Sequence, residues 1–278
     1  MPAADPGRTP PRPRLCRRPS GLRLCQDPGL EAMIEAAASA GSWGALSTAG
    51  LSDEQVDSLR RSLARQKSAR WPLHPLLPAS LPVQTLRVAS YREKDLAVAS
   101  LADWSASTGL PRRLVAALEQ AVDELLLNAL FDAPCDAGGR PRYETYSAQQ
   151  RLLITALPGE EAELRYAADS QRVVVGVRDS FGRLPRSTVI DYFRRCAAAQ
   201  AARISPLEQK AGGSGVGLYL VLSAASELLF RLHEGHSTEV VFTVYRQRPY
   251  TLRALCFEES TGRPRAEAEA SSLAQRVQ

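Results

Sequence analysis

Apolar side chains recur at helical spacing between residues 111 and 131, where Leu118, Val122, Leu125, Ala129 and Leu130 fall on one side. Pro111 suits the first turn, because a missing N–H costs nothing there, and Thr108 or Gly109 stands just before it. The pattern predicts a long amphipathic helix that packs on a sheet. Strand-like runs are expected at 151–156, 162–167 and 172–178, the last carrying Val173, Val174 and Val175. Upstream, 84–90 reads as a strand and 95–104 as a helix. Downstream come a helical stretch at 188–202 with Val189, Tyr192, Phe193 and Cys196, a helix at 216–225, and strands at 228–232 and 238–245. Strands that neighbour each other in sequence, with helices unevenly interspersed, predict an α+β fold: a two-layer sandwich with helices on one face of a mixed, mostly antiparallel sheet. Strict alternation of strand and helix is missing, which argues against a Rossmann fold.

The flanks carry a different pattern. Residues 30–70 are expected to be helical, since Leu30, Met33, Ile34 and Ala37 keep helical spacing and Ser52-Asp-Glu-Gln55 supplies a capping box ahead of Val56, Leu59 and Leu63. A Pro-rich stretch at 71–82 reads as a linker, so the main domain is placed at 83–257. From about Glu258 the chain turns polar and is expected to be a tail. Residues 1–29, rich in Pro and Arg with no apolar period, are expected to be a disordered tail as well.

Composition changes this picture little. With 44% hydrophobic and 23% charged residues over 278 positions, the chain resembles a soluble globular protein. The net charge of +5 points to nucleic acid only until it is located: Arg8, Arg12, Arg14, Arg17, Arg18 and Arg23 face Asp5 and Asp27 in the first thirty residues. With the excess in a tail and no interleaved aromatics, nucleic acid is not expected as a partner. No apolar stretch follows those arginines, and no run of about 18 apolar residues occurs, so neither a secretory leader nor a membrane span is expected and the chain reads as cytoplasmic. Cys16, Cys25, Cys135, Cys196 and Cys256 are scattered and odd in number, and read as free thiols.

Three short blocks carry candidate chemistry. Glu124 and Asn128 stand four apart on the polar side of the long helix, and Asp132 continues the line one turn later. Such a line is a solvated stripe or a ligand site; its apolar neighbours Ala121, Leu126 and Leu127 favour a ligand. Asp179-Ser-Phe-Gly182 closes a strand-like run and, alone, is a turn. Gly212-Gly-Ser-Gly-Val-Gly217-Leu218 leads straight into a helical pattern, so backbone N–H groups and the positive helix end converge where an anion can bind. It holds no Walker lysine and no strand immediately precedes it, so neither the P-loop nor the dinucleotide fingerprint fits; a flexible linker is the plain alternative.

In this order, the blocks resemble the N-box, first glycine box and second glycine box of the GHKL ATPases, the superfamily of gyrase, chaperones, histidine kinases and the serine kinases that restrain sigma factors. The likeness spans 83–246 and is best to the anti-sigma serine kinases. An autokinase needs a helical acceptor histidine ahead of this domain, and His74 lies in Trp-Pro-Leu-His-Pro, which cannot be helical; His233 and His236 read as structural or exposed. The resemblance implies a Bergerat-type ATP-binding fold with ATP and Mg²⁺ as cofactors. By carry-over, Asn128 holds the metal, Glu124 is the catalytic base, and Asp132 lies in the same box. Asp179 accepts the adenine amine, Gly182 serves the first glycine box, and Thr238 completes the adenine shell. Gly212, Gly213, Ser214, Gly215, Val216, Gly217 and Leu218 hold the phosphates with Lys210 as a partner, and residues 183–211 form a lid. The chain departs from Asp-x-Gly-x-Gly in having Phe181 and Arg183 where those glycines belong. The implied activity is transfer of the ATP γ-phosphoryl to a serine or threonine of a protein antagonist, with a sigma factor or that antagonist as partner and a homodimer by family analogy. The alternatives are a non-catalytic nucleotide-gated binding module and a stand-alone ATPase subunit of a signalling complex.

Overall fold

Side-chain alternation across the strands decides the architecture. The computed structural model of the chain describes residues 21–26, 29–49, 51–57, 81–136, 138–202, 216–247 and 252–261. Its strands are β1 (Leu22–Cys25), β2 (Gly44–Ser47), β3 (Gln84–Val88), β4 (Ala162–Ala168), β5 (Arg172–Asp179), β6 (Glu227–Glu234), β7 (Ser237–Tyr245) and β8 (Ala254–Thr261). They form one sheet in the order β1-β2-β8-β6-β7-β5-β4-β3. Pairing is parallel between β1 and β2 and between β6 and β8, and antiparallel elsewhere. The helices are α1 (Leu30–Ala38), α2 (Tyr91–Ser107), α3 (Arg112–Leu127), the short α4 (Ala148–Arg151), α5 (Arg186–Ala201) and α6 (Val216–Ala224), and a π-helical turn, Asn128–Asp132, continues α3. The molecule is thus α+β with a mixed sheet.

On one sheet face Val175, Val177, Leu228, Phe230, Val240, Phe242, Leu255 and Phe257 share a core with Ile34 of α1, Leu101 of α2, Leu118 and Val122 of α3, Phe193 of α5 and Val221 of α6. Their neighbours one position along, Val174, Leu229, Val241 and Cys256, turn to the other face and form a second, smaller cluster. Beside that cluster runs a row of charges contributed by four strands. Arg165 on β4 bonds Glu239 on β7, Glu239 accepts from Arg231 on β6 at 2.8 Å, and Arg231 reaches Glu258 on β8 at 3.2 Å. In the register, Arg165 stands opposite Gly176, which lacks a side chain that would block its path to Glu239.

Several expectations are corrected. Leu22–Cys25 is a strand within the expected tail, because parallel pairing to β2 satisfies its backbone and Leu22 and Cys25 are buried. Within the expected helical region, Gly44–Ser47 is also a strand, paired to β8; Gly44 has no room for a side chain, since a Cβ there would lie 2.9 Å from the Leu255 carbonyl. Residues 21–47 therefore extend the main sheet rather than standing apart from 83–257. The chain does not turn into a tail at Glu258: β8 runs to Thr261, with Glu258 in the charged row and Glu259 paired with Arg186 of α5. The expected strand at 151–156 is absent. Ser147 and Gln150 cap α4 reciprocally, at 2.8 and 3.3 Å, and Leu152 and Leu153 are exposed, while Ile154 of the same run reaches the core.

The Ser52–Gln55 capping box forms as expected, and Val56 is buried. Cys135, Cys196 and Cys256 are free thiols, and burial pushes Cys256 up to about 12. No described helix is long and apolar enough to cross a membrane. Residues 1–20, Leu59, Leu63, the linker at 71–80, His74 and the stretch beyond 261 lie outside the described residues.

Candidate functional site

The antiparallel register sets Asp179, the last residue of β5, opposite Thr238 on β7, one step beyond the apolar pair Val177 and Val240. All four point to the helical side, where they floor a cavity of about 330 Å³. Leu125 and the π turn, with Asn128, Ala129, Asp132 and Ala133, make one wall; Thr188, Tyr192 and Arg195 of α5 make another; Arg183, Leu184 and Leu218 complete it. The π turn is defined by the Ala133 N–H donating to the Asn128 carbonyl at 2.8 Å, five residues back. This wider turn lets Asn128 and Asp132 both reach the cavity, and single π turns of this kind recur at functional sites.

Asp179 is held by the backbone. Its Oδ1 accepts from the N–H groups of Phe181 at 2.8 Å, Gly182 at 3.1 Å and Thr238 at 3.3 Å. Burial pushes its carboxyl above the usual range, against these bonds. Beside it the Thr238 hydroxyl is buried against the carboxyl, and its side chain works with the backbone bonds to lower Asp179.

Gly182 does not line this cavity. It has φ +62, and a Cβ there would lie 2.0 Å from the His233 carbonyl, while its own carbonyl accepts from the Gly235 N–H at 3.2 Å. Its role is to lock the Asp179 turn onto the β6–β7 hairpin, while Phe181 beside it is buried.

Glu124 is half-buried one turn before Asn128, whose N–H donates to its carbonyl, but its side chain is not part of the cavity lining. Burial raises its carboxyl, Asp123 and Asp132 raise it further, and Lys94 opposes them. Lys94 is itself buried and bonded to Asp123 and, at 2.9 Å, to Asp95. Burial works to lower the Lys94 ammonium, yet the two carboxylates reverse this and leave it raised. Asp132 is raised by burial, with Arg151, 3.6 Å away, acting against it.

Of the residues singled out in the sequence, the cavity thus gathers Asn128, Asp132, Asp179, Leu218 and Thr238. Glu124 and Gly182 flank it, and the backbone of Val216 and Gly217 opens α6. Lys210, Gly212, Gly213, Ser214 and Gly215 lie outside the described residues, as does the expected lid beyond 202. Sequence reasoning missed Arg183, Thr188, Tyr192 and Arg195 as wall residues. Thr188, Tyr192 and Arg195 follow one another at spacings of four and three, a polar stripe that was there to read on α5.

Among the described residues, no group of three or more His, Cys, Asp and Glu is placed to hold a metal. A Mg²⁺ held mainly by phosphates needs only one or two protein oxygens, and the Asn128 amide and Asp132 carboxylate are hard oxygen donors on one wall. Compared with known proteins, the chain matches no family model and has no significant match among curated proteins.

Proposed function

We propose that the cavity binds ATP with Mg²⁺ and that the chain is a GHKL-type ATP-binding protein with a Bergerat-type sandwich, of the class of anti-sigma serine/threonine kinases. One observation carries the reading: Asn128, Asp132, Asp179, Leu218 and Thr238, picked from separate segments as parts of a nucleotide site, line one cavity. Because Asp179 Oδ1 is committed to three backbone N–H groups, Oδ2 is the atom left to accept the adenine amine. Thr238 completes that shell. Val177, Val240 and Leu125 supply the apolar surface for a base. Asn128, with Asp132, would hold Mg²⁺, which would supply positive charge to offset that of the phosphates. Glu124, at the cavity edge, would take the proton from a serine or threonine hydroxyl of a protein antagonist as its oxygen bonds the γ-phosphorus and ADP departs.

A second reading, in which nucleotide is bound as a switch without turnover, is favoured by the absence of Glu124 from the cavity lining. Calorimetric titration with ATP and GTP in Mg²⁺ tests the shared premise. Asp179→Asn is the informative variant, because its amide oxygen can accept the same three backbone bonds while its NH₂ cannot accept the adenine amine. Loss of that bond is expected to weaken ATP roughly 10- to 100-fold, in line with the ~1.5–3 kcal/mol of a hydrogen bond to a charged group. A wild-type protein that ignores millimolar ATP would overturn both readings. The two separate on Glu124→Gln, which stops phosphoryl transfer only if there is transfer to stop.

A further inference from the structure

Two guanidinium groups on the cavity wall have no part in the ATP reading so far. Arg183 follows the locked Gly182 turn, and Arg195 lies on α5, seven residues after Thr188 and three after Tyr192. Both are cavity residues, and among the described residues neither makes an ion pair or a hydrogen bond. Arg195 has its guanidinium 5.5 Å from the centre of the Tyr192 ring, which also lines the cavity. Arg183 also lines a wider cleft of about 1260 Å³ between the α1–β2 turn and the β6–β7 hairpin, so it stands where the two cavities meet.

We propose that Arg183 and Arg195 form a cation pair that receives the anionic part of the ligand, Arg183 supplying charge at a position where the resembled family has glycine. The inference rests on the ATP reading and deepens it. The physical need is plain, because the other charged groups lining the cavity are Asp132 and Asp179, which repel a polyanion. Arg183 and Arg195 are the counter-charges among the described lining residues. Guanidinium forks match phosphate oxygens two at a time, and an unpaired arginine beside a cavity is free to do so. A bulky side chain replacing a glycine would otherwise read as an obstruction, and the two views predict opposite signs.

Wild type, Arg183→Gly, Arg183→Lys and Arg195→Gln are titrated with Mg·ATP, adenosine and tripolyphosphate, with thermal unfolding as a check on folding. The pair predicts that Arg183→Gly and Arg195→Gln each weaken ATP at least tenfold while adenosine affinity stays unchanged, and that Arg183→Lys keeps part of the ATP affinity. Tighter ATP binding by Arg183→Gly would show an obstruction and overturn the pair, as would equal weakening of ATP and adenosine. If wild type binds neither nucleotide nor nucleoside, the ATP reading falls on its own. Tripolyphosphate binding that depends on both arginines would then still uphold the pair, and its absence would overturn it.

Discussion

Gly182 is the residue on which the Asp179 turn depends. With φ +62 and the His233 carbonyl 2.0 Å from where a Cβ would stand, Gly182→Ala must move either the turn or the hairpin. The expected cost is at least about 2 kcal/mol, the scale of forced left-handed backbone with a clash added, read as a lower denaturant midpoint at unchanged slope. Stability equal to wild type would show that the hairpin yields freely. Glu124 carries a pH prediction. Its carboxyl is raised by burial and by Asp123 and Asp132. A base must be ionised, so phosphoryl transfer should climb with pH through a value above the ordinary glutamate range and level off beyond it. The linked stability runs the other way. A raised carboxyl favours the fold in its protonated form, a contribution present below the unfolded pKa and lost as pH rises through the folded one. A rate profile flat down to the ordinary glutamate pKa would remove Glu124 from the role of base.

At the scale of elements, α3 holds the site to the sheet. Leu118 is fully buried between them, so Leu118→Ala should cost about 2–5 kcal/mol, measurable by urea unfolding; a cost below about 1 kcal/mol would mean that the helix is not anchored there. This helix, β4, β5, β6 and β7 were legible because their apolar positions repeat with the period of the element that buries them. Strands β1 and β2 were not, since four residues are too few to establish a period and what makes them strands is the pairing of β2 with distant β8 and of β1 with β2. The start of α2 was missed although Ser90 and Glu93 announce it: Ser90 Oγ accepts from the Glu93 N–H and Glu93 accepts from the Ala89 N–H. The π turn had no signature of its own, so Asn128 and Asp132 were expected on one helical line rather than on a widened turn. Arg183 was noticed only as a missing glycine; that its side chain borders a cavity follows from the Gly182 turn, which is a tertiary fact.

Across the whole molecule, the charged row on the far sheet face ties four strands together. Glu239 is 6% exposed and answers both Arg165 and Arg231. Glu239→Gln takes one of two carboxylates from each guanidinium, leaving Arg165 with Glu163 and Arg231 with Glu258, and should cost about 1–3 kcal/mol, the scale of hydrogen bonds lost to a charged group. A change within experimental error in a denaturant titration would mean that water reaches the row. Apolar alternation punishes a strand that slips by one residue, because every side chain changes face. It is blind to a slip of two, which returns each side chain to its own face. Sliding β7 by two residues would bring Ser237 or Val241, in place of Glu239, against Arg231. The row therefore acts as a vernier on the sheet, resolving the shift that hydrophobicity cannot see and setting Asp179 against Thr238 rather than against a neighbour.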